Sequence, residues 1–139
     1  MDKALNYLGL ARKAGKAELG EEPVNAVTRA VRAALVIVAC DASDHTWRRA
    51  NSFVAGTDQS VLSVPFTKDQ LGFAIGRQEL AIAALTDPAL AQVFVKALPQ
   101  TEKTAQVLEA LEEKVRRVKQ RQKEAKAHQK NVRFGKKSK

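Results

Sequence analysis

Asp41 is the residue of this chain placed where chemistry would be sought first. It follows the apolar run Leu35–Ala39, which reads as a central strand, and α/β enzymes keep catalytic or phosphate-accepting aspartates at such strand ends. Cys40, the sole cysteine, stands beside it, and His45 and His128 are the only histidines. The partners such chemistry needs are missing. No G-x-G-x-x-G or G-x-x-x-x-G-K-[ST] follows a strand, so no cradle for nucleotide phosphates accompanies Asp41. A single cysteine makes neither an internal disulfide nor a cysteine-based zinc site. Asp41 or Ser43 reads more simply as the cap of the next helix, and Cys40 as a small buried apolar residue. Trp47, at helical spacing with Ala50 and Val54, reads as core. The chain is therefore expected to be no enzyme and to carry no cofactor and no metal.

The other chemistry within reach is electrostatic. Among 139 residues there are 24 Lys+Arg against 15 Asp+Glu, a formal net charge of +9. Residues 1–99 hold 11 Lys+Arg against 10 Asp+Glu, whereas residues 100–139 hold 13 against 5, so the basic character belongs to the tail. From Lys114 onward Glu124 is the lone acid. Arg116, Arg117, Lys119, Arg121 and Lys123 are the expected contacts to phosphate. Six cations of this kind meeting phosphates would make affinity fall roughly a thousandfold between low and moderate salt. No run of about 18 apolar residues exists to cross a membrane, and the start lacks the pattern of a secretion signal, so the expected location is the cytoplasm.

Positioning these groups requires a folded frame, and 45% hydrophobic with 28% charged residues supplies an ordinary globular composition. Residues 2–14 read as a helix capped by Asp2 and stopped by Gly15, and Lys16–Leu19 as a short strand. A second helix opens at Gly20, two acids and Pro23, with Val24, Val27 and Val31 on its apolar face. Leu35–Ala39 is continuous and β-branched, as for a strand buried on both faces. Ser43 caps a third helix, Val61–Val64 is a strand, and Thr67 with Gln70 forms a capping box ahead of inward-facing Leu71 and Ile75. Leu80–Leu85 reads as the last strand, and Asp87-Pro88 opens a helix that ends before Pro99. Alternating helices and strands imply a three-layer α/β/α sandwich with a mixed sheet over residues 1–98. Residues 99–139 form a basic helical tail. Leu108, Leu111, Val115 and Val118 give it an apolar stripe that lapses at Gln122, beyond which the helix is expected to fray into a disordered end.

Three segments, Leu8–Glu22, Leu35–Ser43 and Leu71–Asp87, together resemble the superfamily of ribosomal proteins L-seven-Ae and L-thirty-e, most closely its bacterial YlxQ-like branch. The resemblance covers about residues 4–97. It implies the same sandwich and a kink-turn RNA-binding activity. It further implies that RNA is gripped by the segment Gly15, Lys16 and Gly20 at a helix start, and by the loop Ile75, Gly76, Arg77 and Gln78. In those positions Lys16 and Arg77 would meet phosphates, Glu21 or Glu22 would accept protons from guanine edges, and Ile75 would serve as a ledge for an unstacked base. At the helix start the archaeal members carry Asn-Glu and, a turn later, Lys, where this chain has Glu22, Pro23 and Ala26. The expected protein is thus a ribosome-associated or accessory RNA-binding protein whose partner is ribosomal or other structured RNA, monomeric. The alternative is a protein–protein interaction module, or an oligomer, acting through the stripe of the C-terminal helix.

Overall fold

In a computed structural model, which describes residues 2–135 and side chains through residue 127, Leu35–Ala39 is the interior strand β2 of a four-stranded sheet. Before it come α1 (Lys3–Lys13), β1 (Ala17–Leu19) and α2 (Glu21–Arg29). After it come α3 (Asp44–Val54), β3 (Ser60–Val64), α4 (Lys68–Ala74), β4 (Ile82–Leu85), α5 (Pro88–Lys96) and α6 (Glu102–Gly135). The strand order is β1-β4-β2-β3, with β2 parallel to β3 and antiparallel to β4. Strand side chains alternate between faces. Leu35, Ile37 and Ala39 join α1, α4, α5 and the start of α6 in one core, while Val36 and Val38 join α2 and α3 in a second. The expected α/β/α sandwich with a mixed sheet is what forms.

Local signals set the element boundaries. The side chains of Asp2, Ser43 and Asp87 accept backbone N–H groups at 2.8, 3.1 and 2.9 Å, and Thr67 and Gln70 cap each other's amides at 2.9 and 3.2 Å. Each such cap contributes about 1 kcal/mol. The last strand starts two residues later than the sequence predicts, at Ile82, because the Leu80 amide donates to the Lys68 carbonyl at 3.0 Å and closes the α4 turn instead. Val31 does not extend the apolar face of α2. It sits past the helix end with φ 54° and is 55% exposed.

The chemistry-bearing residues near Asp41 also depart from expectation. Cys40 lies one residue beyond β2 and is exposed, not buried. Asp41 caps α4, accepting from Lys68 N–H at 2.8 Å, while Ser43 alone caps α3. Trp47 is 37% exposed and lines an open groove between the edge strand β3 and the connection from α5 to α6.

The tail begins as part of the sandwich. Thr104, Val107 and Leu111 are buried, and α6 packs on α5 and β3. Burying Val107 and Leu111 contributes about 1.5–3 kcal/mol each, which lifts the first turns above the marginal stability of a lone helix. The first half of the apolar stripe is thereby occupied by the domain's own core: Leu111 is buried and not free to pair with a partner helix, and Leu108 packs against that core, whereas Val115 is half-buried and Val118 exposed. The helix does not fray at Gln122 as expected but continues to Gly135, and of the basic end expected to be disordered, residues 136–139 lie outside the described residues.

Candidate nucleic-acid interface

The register of the sheet decides which of the expected site residues meet. β1 is antiparallel to β4, pairing Leu19 with Ala83, and the chain leaves β1 through Gly20, whose N–H donates to the Ile82 carbonyl at 3.0 Å. The start of α2 therefore lies beside the beginning of β4, which is the end of the 75–81 loop. The ends of β2 and β3 reach the same side: Ala39 N–H donates to Ala81 at 2.9 Å, and Cys40 N–H to Phe66 at 2.9 Å. Gly20, Glu21, Glu22 and the Gly76–Gln78 loop share one end of the sheet. Lys16 does not join them. Its carbonyl accepts Thr86 N–H at 2.9 Å beyond the other end of β4, and four extended residues put it about 13 Å from Gly20.

Gly20 has φ 97°, a conformation that favours glycine, and the nearest atom to a Cβ built there would be Pro23 Cδ at 3.9 Å. Space above this helix start is open. The Glu21 carboxylate pairs with the Arg49 guanidinium from α3, which itself stands 5.2 Å from the centre of the Phe53 ring. That pairing leaves Glu22, which is exposed, as the unengaged acid of the first turn.

The second element is a loop folded back onto its own helix. Arg77 N–H donates to Gly72 O at 2.8 Å, and a Cβ on Gly72 would come within 2.6 Å of Glu79 Cα. Gly72 is what lets the loop close. Gly76, Arg77 and Gln78 are exposed, but Ile75 is only 2% exposed and packs in the main core. As placed, it offers no ledge to a base. Phe73, two residues earlier, presents its ring at 72% exposure. A groove of about 520 Å³ runs between α1 and the loop, lined by exposed Leu10, Arg12 and Lys13 and by Ala74–Gly76. Gly9 permits this approach, since a Cβ there would already sit 3.1 Å from the Ala74 carbonyl.

Arg12, Lys13 and Phe73 are absent from the sequence-based site. The available signal was weak: Phe73 interrupts the polar face of a seven-residue helix, and Arg12 and Lys13 read as ordinary last-turn cations.

The cations of the tail divide into two groups. Arg116 is engaged by Glu112 and Glu113, at 3.8 and 2.7 Å, and Arg117 by Asp58 and Glu113, at 3.3 and 3.5 Å. The hydrogen bond from Arg116 holds the Glu113 carboxyl below its usual range. Lys119, Arg121 and Lys123 are exposed with no carboxylate within 4 Å among the described residues.

Solved structures share this architecture. A protein of unknown function from Bacillus halodurans superposes with a TM-score of 0.65 at 28% identity, over 70% of this chain and 97% of that one. A 15.5 kD RNA-binding protein from Giardia lamblia superposes with a TM-score of 0.54 at 20% identity, over 77% of this chain and 85% of that one. The fold is one that an RNA-binding protein uses. A scan against protein-family models finds no match, and neither does a comparison with curated proteins. Among the described residues no helix is long and apolar enough to cross a membrane.

Proposed function

We propose that the protein is a non-catalytic, cytoplasmic binder of structured RNA, a ribosome-associated or accessory factor for kink-turn-like internal loops. The observation that carries this reading is the hydrogen bond from Gly20 to Ile82, which sets the α2 start beside the loop before β4. Those are the two elements that grip RNA in the superfamily the sequence resembles. The fold shared with the Giardia RNA-binding protein supports the same reading. An internal loop exposes base edges and unstacked bases among crowded phosphates. Glu22 and Gln78 address base edges, Arg77, Arg12 and Lys13 meet phosphates, and Phe73 takes the role expected of Ile75 by stacking on an unpaired base. Lys119, Arg121 and Lys123 extend the contact along neighbouring backbone. Burial of Leu111 and packing of Leu108 in the domain's own core favour a monomer.

Crosslinking the protein to RNA in cells, sequencing the attached RNA and mapping the crosslinked peptides tests this. Enrichment of structured RNA with crosslinks in peptides holding Phe73–Gln78 and Gly20–Glu22 is the expected result. Recovery of no RNA, or crosslinks confined to α3 and β3, would overturn it.

A further inference from the structure

A second basic site lies at the other end of the sheet, where the chain enters β2 and α6 crosses over it. There a cleft of about 330 Å³ is lined by Arg32, Lys114, Arg117 and Arg121, with Asp58 as the one carboxylate among its lining residues. Asp58 is shared, at 3.9 Å from Lys114 Nζ and 3.3 Å from an Arg117 nitrogen. Arg32 and Arg121 have no carboxylate within 4 Å among the described residues. Four cations thus line one concavity against Asp58, with Glu113 also 3.5 Å from Arg117, so positive charge is left over, beside a sandwich whose residues 1–99 are close to neutral. Lys114 is half-buried beside this cleft, and burial lowers its pKa, with Asp58 opposing and Arg117 adding to the effect.

The turn that delivers Arg32 is itself strained. Val31 holds φ 54°, a left-handed conformation that a β-branched residue rarely adopts, where helix ends ordinarily use glycine. Its N–H donates to Thr28 O at 3.0 Å and that of Arg32 to Val27 O at 3.0 Å. The buried Gln59 side chain locks the turn from beneath, accepting from Ala33 N–H at 2.9 Å and donating to Thr28 O at 3.1 Å. Strain maintained by surrounding hydrogen bonds is characteristic of ligand sites.

We propose that this cleft binds the phosphodiester backbone of RNA, so that one protein holds a single RNA at both ends of its sheet. Among the described residues no aromatic lines the cleft, so it suits phosphate and not a stacked base. A neighbouring groove of about 420 Å³, lined by Glu113, Arg116, Gln120 and the same Arg117 and Arg121, carries the basic surface on along α6, which an extended backbone would follow and a free phosphate would not. This assignment rests on the RNA-binding reading above. The five residues of β2 separate the two sites by about 17 Å. That distance spans several base pairs of a duplex, so only RNA extending past the internal loop reaches the cleft.

Titrations of the full chain with two kink-turn RNAs, one with a flanking stem of three base pairs and one of ten, test the proposal across a salt series. The ten-pair RNA should show a steeper dependence of log affinity on log salt. Arg32→Gln should flatten that slope by about 1, and Asp58→Asn should steepen it and tighten binding. Both residues are exposed, so thermal melts of the variants should stay near that of the parent. Wild-type slopes and affinities in both variants would overturn the cleft, and if Arg77→Gln weakens binding in that same assay the RNA reading survives without it. Failure of the unaltered chain to bind either RNA overturns both.

Discussion

Asp41 Oδ1 accepts the backbone N–H of Lys68 at 2.8 Å, a bond that spans 27 residues and ties the end of β2 to the start of α4. The same helix carries Phe73 and ends in the Gly76–Gln78 loop, so this aspartate braces the candidate interface from behind. Asp41→Ala should lower stability by about 1 kcal/mol, and Asp41→Asn should recover most of it, because asparagine caps nearly as well. Thermal melts of the two variants check this. Equal melting of Asp41→Ala and the parent would remove the structural role, and labelling of Asp41 by a small phosphodonor would revive the enzymatic one.

Gly72 and Phe73 are adjacent and should behave oppositely. Gly72→Ala puts a Cβ into the Glu79 backbone, and relieving the clash should cost about 1–3 kcal/mol and displace the loop. Phe73→Ala removes an exposed ring, so stability should change by no more than about 0.5 kcal/mol while RNA affinity falls by about 1–3 kcal/mol. Melting and binding measured side by side separate the two. A Phe73→Ala protein that binds as the parent does would leave the stacking role without support.

Val31→Gly should raise stability. The left-handed conformation costs a non-glycine residue about 1–2 kcal/mol, whereas the added freedom of glycine in the unfolded chain costs about 0.5–1 kcal/mol, so relief of strain wins by up to about 1 kcal/mol. A denaturant midpoint below that of the parent would contradict the strain.

Lys114 gives a pH signature. Burial lowers its pKa, with Arg117 adding to the effect and Asp58 opposing it. The unfolded chain then binds this proton more tightly than the folded one. The residue's charged form therefore opposes folding below its folded pKa, and the penalty fades as pH rises from there towards the ordinary lysine value of 10.5. Lys114→Met should be the more stable protein at neutral pH, with the difference from the parent shrinking in alkali. A constant difference across that range would show that Lys114 titrates as an ordinary surface lysine.

Most of the sandwich was legible in the sequence because its signals are local. The LVIVA strand, the Thr67–Gln70 box and the Asp87-Pro88 helix start each specify a conformation within a few residues. What sequence could not give was the outcome of long-range competition. Leu80 is apolar and strand-like, yet its amide is taken by Lys68, and Val31 keeps helical spacing yet falls after the helix has ended. Leu111 sits on a stripe that suits a partner helix, but the domain's own core buries it first. The site suffered in the same way. Lys16 and Gly20 are neighbours in sequence and opposite in space, because a strand separates them. Ile75 is apolar enough for a base ledge and for the core, and only packing chooses the core.

The most direct measurement is an equilibrium titration of a kink-turn RNA with the full chain and with Arg77→Gln, over a range of salt concentrations. The parent should bind with log affinity falling linearly in log salt, and Arg77→Gln should bind more weakly with a slope shallower by about 1. Absence of binding by the parent at low salt, or identical curves for the two proteins, would contradict the placement of RNA at this end of the sheet.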